Sequence, residues 1–412
     1  MIKGACLFGQ SGGPTSVINA SAYGIITEAL RNESITKVYA MHHGIKGVLN
    51  DDLIEITSDD SEEIEKLLYT PGALFGSCRL RLKDYLVDDS EYRKILEIFK
   101  KYDIRYFLYI GGNDSMDTCN KVSKYMKHIG YDCNVIGIPK TIDNDLNITD
   151  HTPGFASCAK FINNSISSVE WDLVSYDQKS VLVFEIMGRN AGWLTASSAL
   201  SKLNGMGPDL IYLPEVPFDI NKFQENVYKL LEEKNVVMVA VSEGIKSASG
   251  AYLQDDAASG SVDQFGHTQL GGVGNCLVRK LKERNPKLKT RVIEFSLLQR
   301  CASFSGSMCD VEEAKNIGGF GLRQATLGET DKTVILKRLS HKPYTYILDL
   351  APISEIANLE KTIPLNWIKE DGKGLTDEFI EYLLPLVEGE VPCKYKDGLI
   401  DYAKITNFKN FK

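Results

Sequence analysis

The segment Pro139-Lys140-Thr141-Ile142-Asp143-Asn144-Asp145 places one cation and two carboxylates within seven residues. In an extended segment, side chains two residues apart point the same way, so Asp143 and Asp145 can serve one site. One carboxylate could accept a proton from an alcohol while the other binds a metal ion, and Lys140 would neutralise a phosphoryl group in transfer. The same spacing also fits an Asp-rich capping turn in which Lys140 is a solvated charge.

Two glycine-rich turns are suited to binding phosphate. Ser11-Gly12-Gly13 and Gly111-Gly112-Asn113-Asp114-Ser115 each follow a strand-like segment and precede a helix-like one. Such a turn lets the backbone approach a ligand and directs unpaired N–H groups at it. Neither turn matches a dinucleotide-binding or P-loop motif, and many tight glycine turns are purely structural. Asp114 could stabilise the helix N-terminus, face a phosphate through Mg²⁺, or exclude a bulkier ligand.

A third group of residues supplies the charges that a sugar phosphate needs. Met187-Gly188-Arg189 and Glu243 follow two predicted strands, while Arg291 begins another predicted strand and Arg300 lies just beyond it. Guanidinium groups bind phosphate oxygens, and a carboxylate accepts hydrogen bonds from sugar hydroxyls. Each arginine taken singly is typical of a surface ion pair, so the interpretation depends on their shared position at strand ends.

The elements that must position these groups alternate between strand-like and helix-like segments. This alternation is typical of a parallel sheet covered by helices on both faces, where ligands bind at the carboxyl ends of the strands. Two sheets are more plausible than one. The predicted strands are Ala5–Gly9, Lys37–His42, Tyr106–Ile110 and Asn134–Ile138, then Val181–Ile186, Leu210–Leu213, Val236–Val241 and Arg291–Leu297.

Composition excludes several classes of protein. The 412 residues include 47 Lys and Arg against 55 Asp and Glu, and the net charge of −8 argues against nonspecific nucleic-acid binding. No apolar run approaches the roughly 20 residues of a membrane span. The nine cysteines show no Cys-x-x-Cys spacing and the six histidines show no metal-binding motif. We therefore expect a cytoplasmic protein of two domains, with reduced thiols and with histidines in surface or packing positions.

In their order along the chain, these motifs resemble those of the phosphofructokinase family, specifically its pyrophosphate-dependent branch. The combination of Gly-Gly-Asn-Asp-Ser, Pro-Lys-Thr-Ile-Asp-Asn-Asp and Met-Gly-Arg-Asn-Ala-Gly-Trp is highly specific, although no single motif is. The resemblance extends from Ser-Gly-Gly near the start to Gln299-Arg300. It implies reversible phosphoryl transfer from pyrophosphate to the 1-hydroxyl of D-fructose 6-phosphate, with Mg²⁺ as the cofactor.

The resemblance also implies a role for each matching residue. Asp143 corresponds to the base that takes the proton of the sugar's 1-hydroxyl, Asp145 lies near the metal, and Thr141 corresponds to a substrate-contacting position. Fructose 6-phosphate is bound in the family by residues that match Met187, Gly188, Arg189, Glu243, Arg291 and Arg300. The phosphoryl donor is held by residues that match Gly12, Arg79, Gly112 and Ser115.

The donor implied by the resemblance depends on Asp114 and Lys140. Nucleotide-using members usually have glycine at both positions, which leaves room for the α-phosphate and the ribose. Here a carboxylate fills that space and would repel an α-phosphate, so Asp114 would discriminate against ATP.

Two positions depart from the family pattern: Asn113 replaces a magnesium-associated aspartate, and Leu297 replaces a substrate-binding histidine. Asn113 and Asp145 are the candidate metal-binding residues.

The implied fold is α/β, with two Rossmann-like three-layer domains, mostly parallel sheets and an active site in the cleft between them. Residues 1–154 with 299–350 would form the donor domain and residues 155–298 the fructose 6-phosphate domain, and the role of residues 351–412 is open. The arginine aligned with Arg291 commonly reaches across from a neighbouring subunit, which implies a homodimer or homotetramer.

The alternative functions are an ATP-dependent phosphofructokinase and a noncatalytic regulatory or sugar-phosphate-binding subunit. A lipid or NAD kinase fits poorly with the Met-Gly-Arg and Glu-Gly segments.

Overall fold

The computed structural model describes residues 2–253, 271–356 and 359–411, and within these ranges the chain forms thirteen strands and twelve α-helices. The strands are β1 Gly4–Gln10, β2 Ile35–Met41, β3 Leu53–Ile56, β4 Ile104–Gly111, β5 Asn134–Pro139, β6 Ser180–Ile186, β7 Leu210–Tyr212, β8 Val236–Ser242, β9 Lys289–Glu294, β10 Lys332–His341, β11 Tyr344–Pro352, β12 Tyr395–Lys396 and β13 Leu399–Ile400. The helices are α1 Ile18–Ala29, α2 Ile45–Leu49, α3 Ser61–Lys66, α4 Ser90–Lys101, α5 Asn113–His128, α6 Phe155–Val174, α7 Trp193–Ser197, α8 Ile220–Glu233, α9 Val273–Arg284, α10 Leu298–Cys301, α11 Met308–Thr326 and α12 Asp377–Leu383.

The larger sheet has seven strands in the order β3-β2-β1-β4-β5-β10-β11. Its strands pair in parallel except at the two edges, where β3 and β11 are antiparallel to their neighbours. The strand order reverses between β1 and β4, which lie side by side. In open α/β sheets, ligands bind at such a reversal, outside the carboxyl ends of the strands. The turns after β1 and β4 therefore lie where this fold binds ligands.

Continuous apolar runs form the central strands because helices cover both faces of the larger sheet. All seven residues of β1 are buried. Helices α1 and α11 pack on one face, and α4 and α5 pack on the other. The apolar side of α1 is buried at every position that its spacing indicates, namely Ile18, Ala22, Ile25, Ile26 and Ala29.

The smaller sheet has four parallel strands in the order β7-β8-β6-β9. One face packs against α6, α7 and α12, and the other packs against α8 and α9. The chain thus forms two three-layer α/β units with mostly parallel sheets, which confirms the predicted fold class. Among the described residues, no helix combines the length and the apolar character needed to cross a membrane.

The residues after β11 contact the cores of both units. Phe379 and Leu383 of α12 lie in the core of the smaller unit. Ala403 and Phe408 lie in the core of the larger one. This last segment therefore connects the two units, a role that no sequence motif indicated.

The structure corrects the predicted bounds of one strand that carries a candidate residue. β9 begins two residues before the predicted Arg291 and ends at Glu294 rather than Leu297. The chain turns there because Leu298 N donates to Phe295 O (3.0 Å), so Leu297 precedes a short helix instead of ending a strand. The edge strand β3 and the β10–β11 hairpin were not predicted.

Candidate active site

The turn after β1 is hydrogen-bonded to the loop that carries Arg79. Gly12 N donates to Cys78 O (3.2 Å), and Ser77 Oγ donates to Gly12 O (2.7 Å). Gly12 has a φ of 74°, a left-handed conformation that glycine adopts without steric cost. A carbon substituent built on Gly13 would lie 3.9 Å from the Arg79 guanidinium. The turn and the cation therefore lie side by side, as a phosphate-binding site requires.

The turn after β4 leads directly into α5. A carbon substituent on Gly111 would lie 1.9 Å from Ser115 Oγ, so only glycine allows the helix to start this close to the strand. Ser115 N donates to Gly112 O (3.0 Å) and is buried in the first turn. Asn113 Oδ1 is buried and has no hydrogen-bond partner within the described part of the chain. Asp114 is exposed on the same helical turn.

Lys140 is buried between the two glycine turns. Its Nζ donates to Gly13 O (2.6 Å), and the Arg300 guanidinium lies 3.2 Å from the position of a carbon substituent on Gly13. Burial lowers the pKa of Lys140 to about 8; Asp143 opposes this shift, and the guanidinium groups of Arg79 and Arg300 add to it. Three basic side chains thus surround one point, which suits a ligand with several negative charges.

The two predicted carboxylates lie in the turn after β5. Thr141 Oγ1 donates to Asp143 Oδ2 (3.1 Å) and accepts from Asp143 N (3.1 Å), so the threonine holds the carboxylate in one orientation. Burial raises the pKa of Asp143, and Thr141 and Lys140 oppose that shift. Burial raises the pKa of Asp145 to about 7, with Asp143 and Glu360 adding to the effect. A raised pKa makes a carboxylate a stronger proton acceptor at neutral pH.

The loop after β6 and the residue after β8 face these carboxylates from the smaller unit. Gly188 N donates to Glu243 Oε1 (3.4 Å), and Gly244 N donates to Gly188 O (3.1 Å). Burial raises the pKa of Glu243 to about 7; the charge of Asp143 raises it further, while Arg189 lowers it. Because Asp143 and Glu243 interact in this way, the ends of β5 and β8 share one cleft between the two units.

The loop after β6 is also tied to the segment that carries Arg300. Met187 N donates to Gln299 Oε1 (3.4 Å), and the Gln299 side chain is fully buried. This contact ties the loop after β6 to α10, whose Arg300 places its guanidinium beside Gly13 of the larger unit. Leu297 is exposed, with 57% of its surface accessible, and supplies no polar group in place of the family's histidine.

Arg291 does not join the other predicted residues within one chain. It is the third residue of β9 and lies opposite Leu182 of β6, which is five residues and therefore about 17 Å before Met187. Its exposed side chain lines a cavity of about 700 Å³ together with Asp172 and Tyr176. The remaining predicted residues follow β1, β4, β5, β6 and β8, except Arg79, which lies in the loop before α4, and Arg300, which lies in α10.

Oxygen atoms suited to Mg²⁺ lie in two of these turns. Asn113 presents a buried amide oxygen without a protein partner, and Asp143 and Asp145 follow the neighbouring strand. Among the described residues, no group of three or more His, Cys, Asp or Glu side chains could hold a metal. Mg²⁺ usually takes one or two protein oxygens and completes its shell with water and substrate phosphates. The residues present fit a magnesium ion that binds together with a phosphate ligand.

Glu360 and Lys361 contact this site, although no sequence motif indicated them. Lys361 N donates to Asp145 O (2.7 Å), and Glu360 accepts hydrogen bonds from Asn190 Nδ2 (3.0 and 3.1 Å). Both residues belong to a segment without a recognisable motif, far along the chain from the residues they contact. Sequence spacing carries no signal for such contacts.

Comparisons with known proteins identify the family of this chain. The Phosphofructokinase family model matches residues 6–307. The pyrophosphate–fructose 6-phosphate 1-phosphotransferase of Halomonas elongata is 40% identical over 99% of this chain and 98% of its own length. The corresponding protein of Rhodospirillum rubrum is 36% identical over 99% of this chain and its full length. A crystal structure of pyrophosphate-dependent phosphofructokinase from Nitrosospira multiformis, 38% identical, superposes with a TM-score of 0.87 over 98% of this chain and 96% of that one. The chain therefore belongs to the phosphofructokinase family.

Proposed function

We propose that this protein transfers a phosphoryl group reversibly from pyrophosphate to the 1-hydroxyl of D-fructose 6-phosphate, which yields fructose 1,6-bisphosphate and phosphate. The observation that carries the proposal is the buried Lys140 ammonium, bound to Gly13 O beside Arg79, Arg300 and Asp143. This group of side chains combines cations that can bind a phosphate donor with a carboxylate that can accept a proton. The activity named for the full-length relatives supports the same donor and acceptor.

In this proposal Asp143 is the general base. Its carboxylate, oriented by the Thr141 hydroxyl, takes the proton of the sugar's 1-hydroxyl as the oxygen attacks the phosphorus. The transferred group passes through a loose transition state whose charge must be stabilised by fixed cations and N–H groups. Lys140 and Arg79 supply the cations and Gly112 an N–H group. Gly12 and Ser115, whose own N–H groups bond to Cys78 O and Gly112 O, shape the turns that hold the donor.

The acceptor side lies mainly on the smaller unit. Glu243 accepts hydrogen bonds from sugar hydroxyls, the Met187 and Gly188 backbone lines the sugar, and Arg189 binds its 6-phosphate. Arg300, whose guanidinium lies beside Gly13 and Lys140, contacts fructose 6-phosphate from the donor side. Arg291 lies too far away to contribute within the same chain, so we propose that it completes the site of a neighbouring copy in a homodimer or homotetramer. The donor domain then comprises residues 1–154 and 299–350, and the acceptor domain residues 155–298.

We propose Mg²⁺ as the cofactor, held by Asn113 and Asp145. When bound, it would neutralise charge on the oxygens of pyrophosphate. We propose that Asp114, exposed on the first turn of α5, blocks the space that a nucleotide would need beyond its β-phosphate. A cytoplasmic location is proposed on the basis of the nine cysteines, which are all free thiols.

The test is the formation of fructose 1,6-bisphosphate from fructose 6-phosphate and Mg²⁺, with either pyrophosphate or ATP as the donor at equal concentration. We expect turnover with pyrophosphate and little with ATP. Turnover with ATP alone would make the protein an ATP-dependent phosphofructokinase. Binding of fructose 6-phosphate without turnover by either donor would make it a noncatalytic sugar-phosphate-binding subunit.

A further inference from the structure

The segment of residues 359–363, here called the bridging segment, lies between the two loops that carry the proposed reacting groups. Glu360 forms an antiparallel bridge with Leu146, and Lys361 N donates to Asp145 O (2.7 Å). These backbone bonds attach the bridging segment to the turn after β5, immediately beyond the proposed base.

The Lys361 side chain extends this attachment. Its Nζ donates to Thr149 O (3.0 Å) and Asp150 O (2.8 Å), the two carbonyls that follow the same turn. The ammonium lies 5.2 Å from the centre of the Trp193 ring, and Lys361 O accepts from Trp193 Nε1 (2.9 Å). One residue therefore contacts the chain after β5 and the start of α7, which follows the Met187–Gly192 loop.

Two further contacts hold that loop to the bridging segment. Asn190 Nδ2 donates to both carboxylate oxygens of Glu360 (3.0 and 3.1 Å), next to Arg189. Glu215 Oε1 accepts from Gly192 N (2.8 Å) and from Ile363 N (3.2 Å), so one carboxylate oxygen joins the end of the loop to the end of the bridging segment.

We propose that Lys361 and Glu360 are positioning residues that hold the base-bearing turn after β5 at a set distance from the sugar-phosphate loop after β6. Neither side chain belongs to the groups assigned to pyrophosphate or the sugar. The inference rests on the proposed function, since it concerns the distance between the base and the acceptor hydroxyl. A shift of about 1 Å in such a distance can lower a rate on the order of a hundredfold.

The test compares Lys361→Met with Lys361→Arg in the full-length enzyme. Methionine keeps the apolar stem against Trp193 but removes the donors to the two carbonyls, whereas arginine retains donors and charge. We expect Lys361→Met to lower kcat by about 10- to 100-fold. The KM for pyrophosphate should change less than kcat, because the contacts of the bridging segment given above are with the turn after β5 and the loop after β6 and not with the glycine turns after β1 and β4. Lys361→Arg should restore most of kcat.

Lys66→Met is the matched control. Lys66 is also a largely buried lysine, with Nζ 3.0 Å from Glu63 and 3.1 Å from Asp401, but it lies in a cavity that shares no residue with the cleft. We expect this variant to lower the thermal midpoint and leave kcat unchanged. A Lys361→Met enzyme with a lowered thermal midpoint and wild-type kcat would overturn the proposal, because Lys361 would then be structural only.

If Lys361→Met does not fold, Glu360→Ala tests the contact between Glu360 and Asn190. Glu360 is exposed, so we expect its substitution to leave the fold intact. Releasing Asn190 beside Arg189 should raise the KM for fructose 6-phosphate by about three- to tenfold, or about 1 kcal/mol. Wild-type kinetic constants in this variant would overturn the proposal. Absence of turnover in the wild-type enzyme itself would instead overturn the proposed function.

Discussion

Two regions of this molecule bury charged side chains, and they differ in whether those charges are compensated. In the cleft, burial raises the pKa values of Asp145 and Glu243 to about 7 and lowers that of Lys140 to about 8. Each of these shifts favours the neutral form of the group. The native protein therefore gains no stability from ionising these groups at neutral pH.

The second region is a network of His151, Asp150, Glu313 and Arg338, here called the His151 network. His151 Nδ1 lies 2.8 Å from Asp150 Oδ2 and its Nε2 lies 2.6 Å from Glu313 Oε2, while Arg338 Nη2 donates to Asp150 Oδ2 (2.9 Å). Burial lowers the pKa of His151, but Glu313 and Asp150 outweigh it and raise the value to about 9. Burial raises the pKa of Asp150, but His151 and Arg338 lower it to about 2.

The comparison separates charges that stabilise the fold from charges kept for a ligand. The pKa shifts of His151 and Asp150 both favour the charged form, because partners from β10, α11 and the loop before α6 meet there. In the cleft the pKa shifts of Lys140, Asp145 and Glu243 favour the neutral form, and strongly shifted pKa values of this kind are common in binding and catalytic sites. Substitutions in the cleft should therefore affect rate, and substitutions in the network should affect stability.

The largest expected effect is on the rate of the Asp143→Asn enzyme. Loss of the base should lower kcat by about 10²- to 10⁴-fold. The thermal midpoint should stay close to wild type, because the buried carboxylate does not stabilise the fold. Steady-state kinetics and thermal unfolding measure the two effects. A strong loss of stability with little loss of kcat would remove the distinction between the regions.

Glu313→Gln should produce the opposite result. Removing one partner of a buried ion pair typically costs about 3–5 kcal/mol, and His151 would keep only Asp150 as a charged partner. We expect the free energy of unfolding to fall by that order while kcat of the folded enzyme stays close to wild type. Denaturant unfolding monitored by circular dichroism measures the first quantity. A stability unchanged from wild type would show that the network is not a source of stability.

The His151 network also predicts how stability depends on pH. The ordinary pKa of histidine is 6.5 and that of His151 is about 9, so its contribution is complete below pH 6.5 and is lost as pH rises through 9. The difference corresponds to on the order of 3 kcal/mol. Relative to a His151→Gln variant, the wild-type protein should lose unfolding free energy over this pH range. Parallel pH profiles for the two proteins would contradict the assignment.

The smallest expected effect concerns the choice of donor. Asp114→Gly removes the carboxylate proposed to exclude a nucleotide, and we expect the ratio of ATP to pyrophosphate turnover to rise by about tenfold, or about 1.4 kcal/mol. Asp114→Asn keeps the size and removes the charge, so it separates steric exclusion from repulsion. No rise with either variant would show that Asp114 does not determine the donor.

The two regions also differ in how far the sequence could predict them. The cleft was predictable because its residues follow β1, β4, β5, β6 and β8 within a few positions, and parallel strands bring their carboxyl ends together. The site roles assigned to these residues stay predictions. The position of Arg291 was harder to predict from the sequence, because the start of β9 depends on pairing with β6 rather than on a local pattern.

The His151 network could not have been predicted from spacing. Asp150 and His151 are adjacent, but Glu313 and Arg338 join them only through the packing of α11 and β10. The sequence indicated no more than a histidine in a surface or packing position. The bridging segment escaped prediction for the same reason, since its contacts connect distant parts of the chain.

The cleft is proposed to move one phosphoryl group between pyrophosphate and a sugar hydroxyl, and ³¹P nuclear magnetic resonance of the reaction mixture measures that transfer. With fructose 6-phosphate and Mg²⁺ present, each pyrophosphate consumed should yield one orthophosphate and one new phosphate ester on carbon 1. Adding the two products to fresh enzyme should regenerate pyrophosphate. Pyrophosphate that remains intact, or that is hydrolysed to two orthophosphates without the new ester, would contradict the claim.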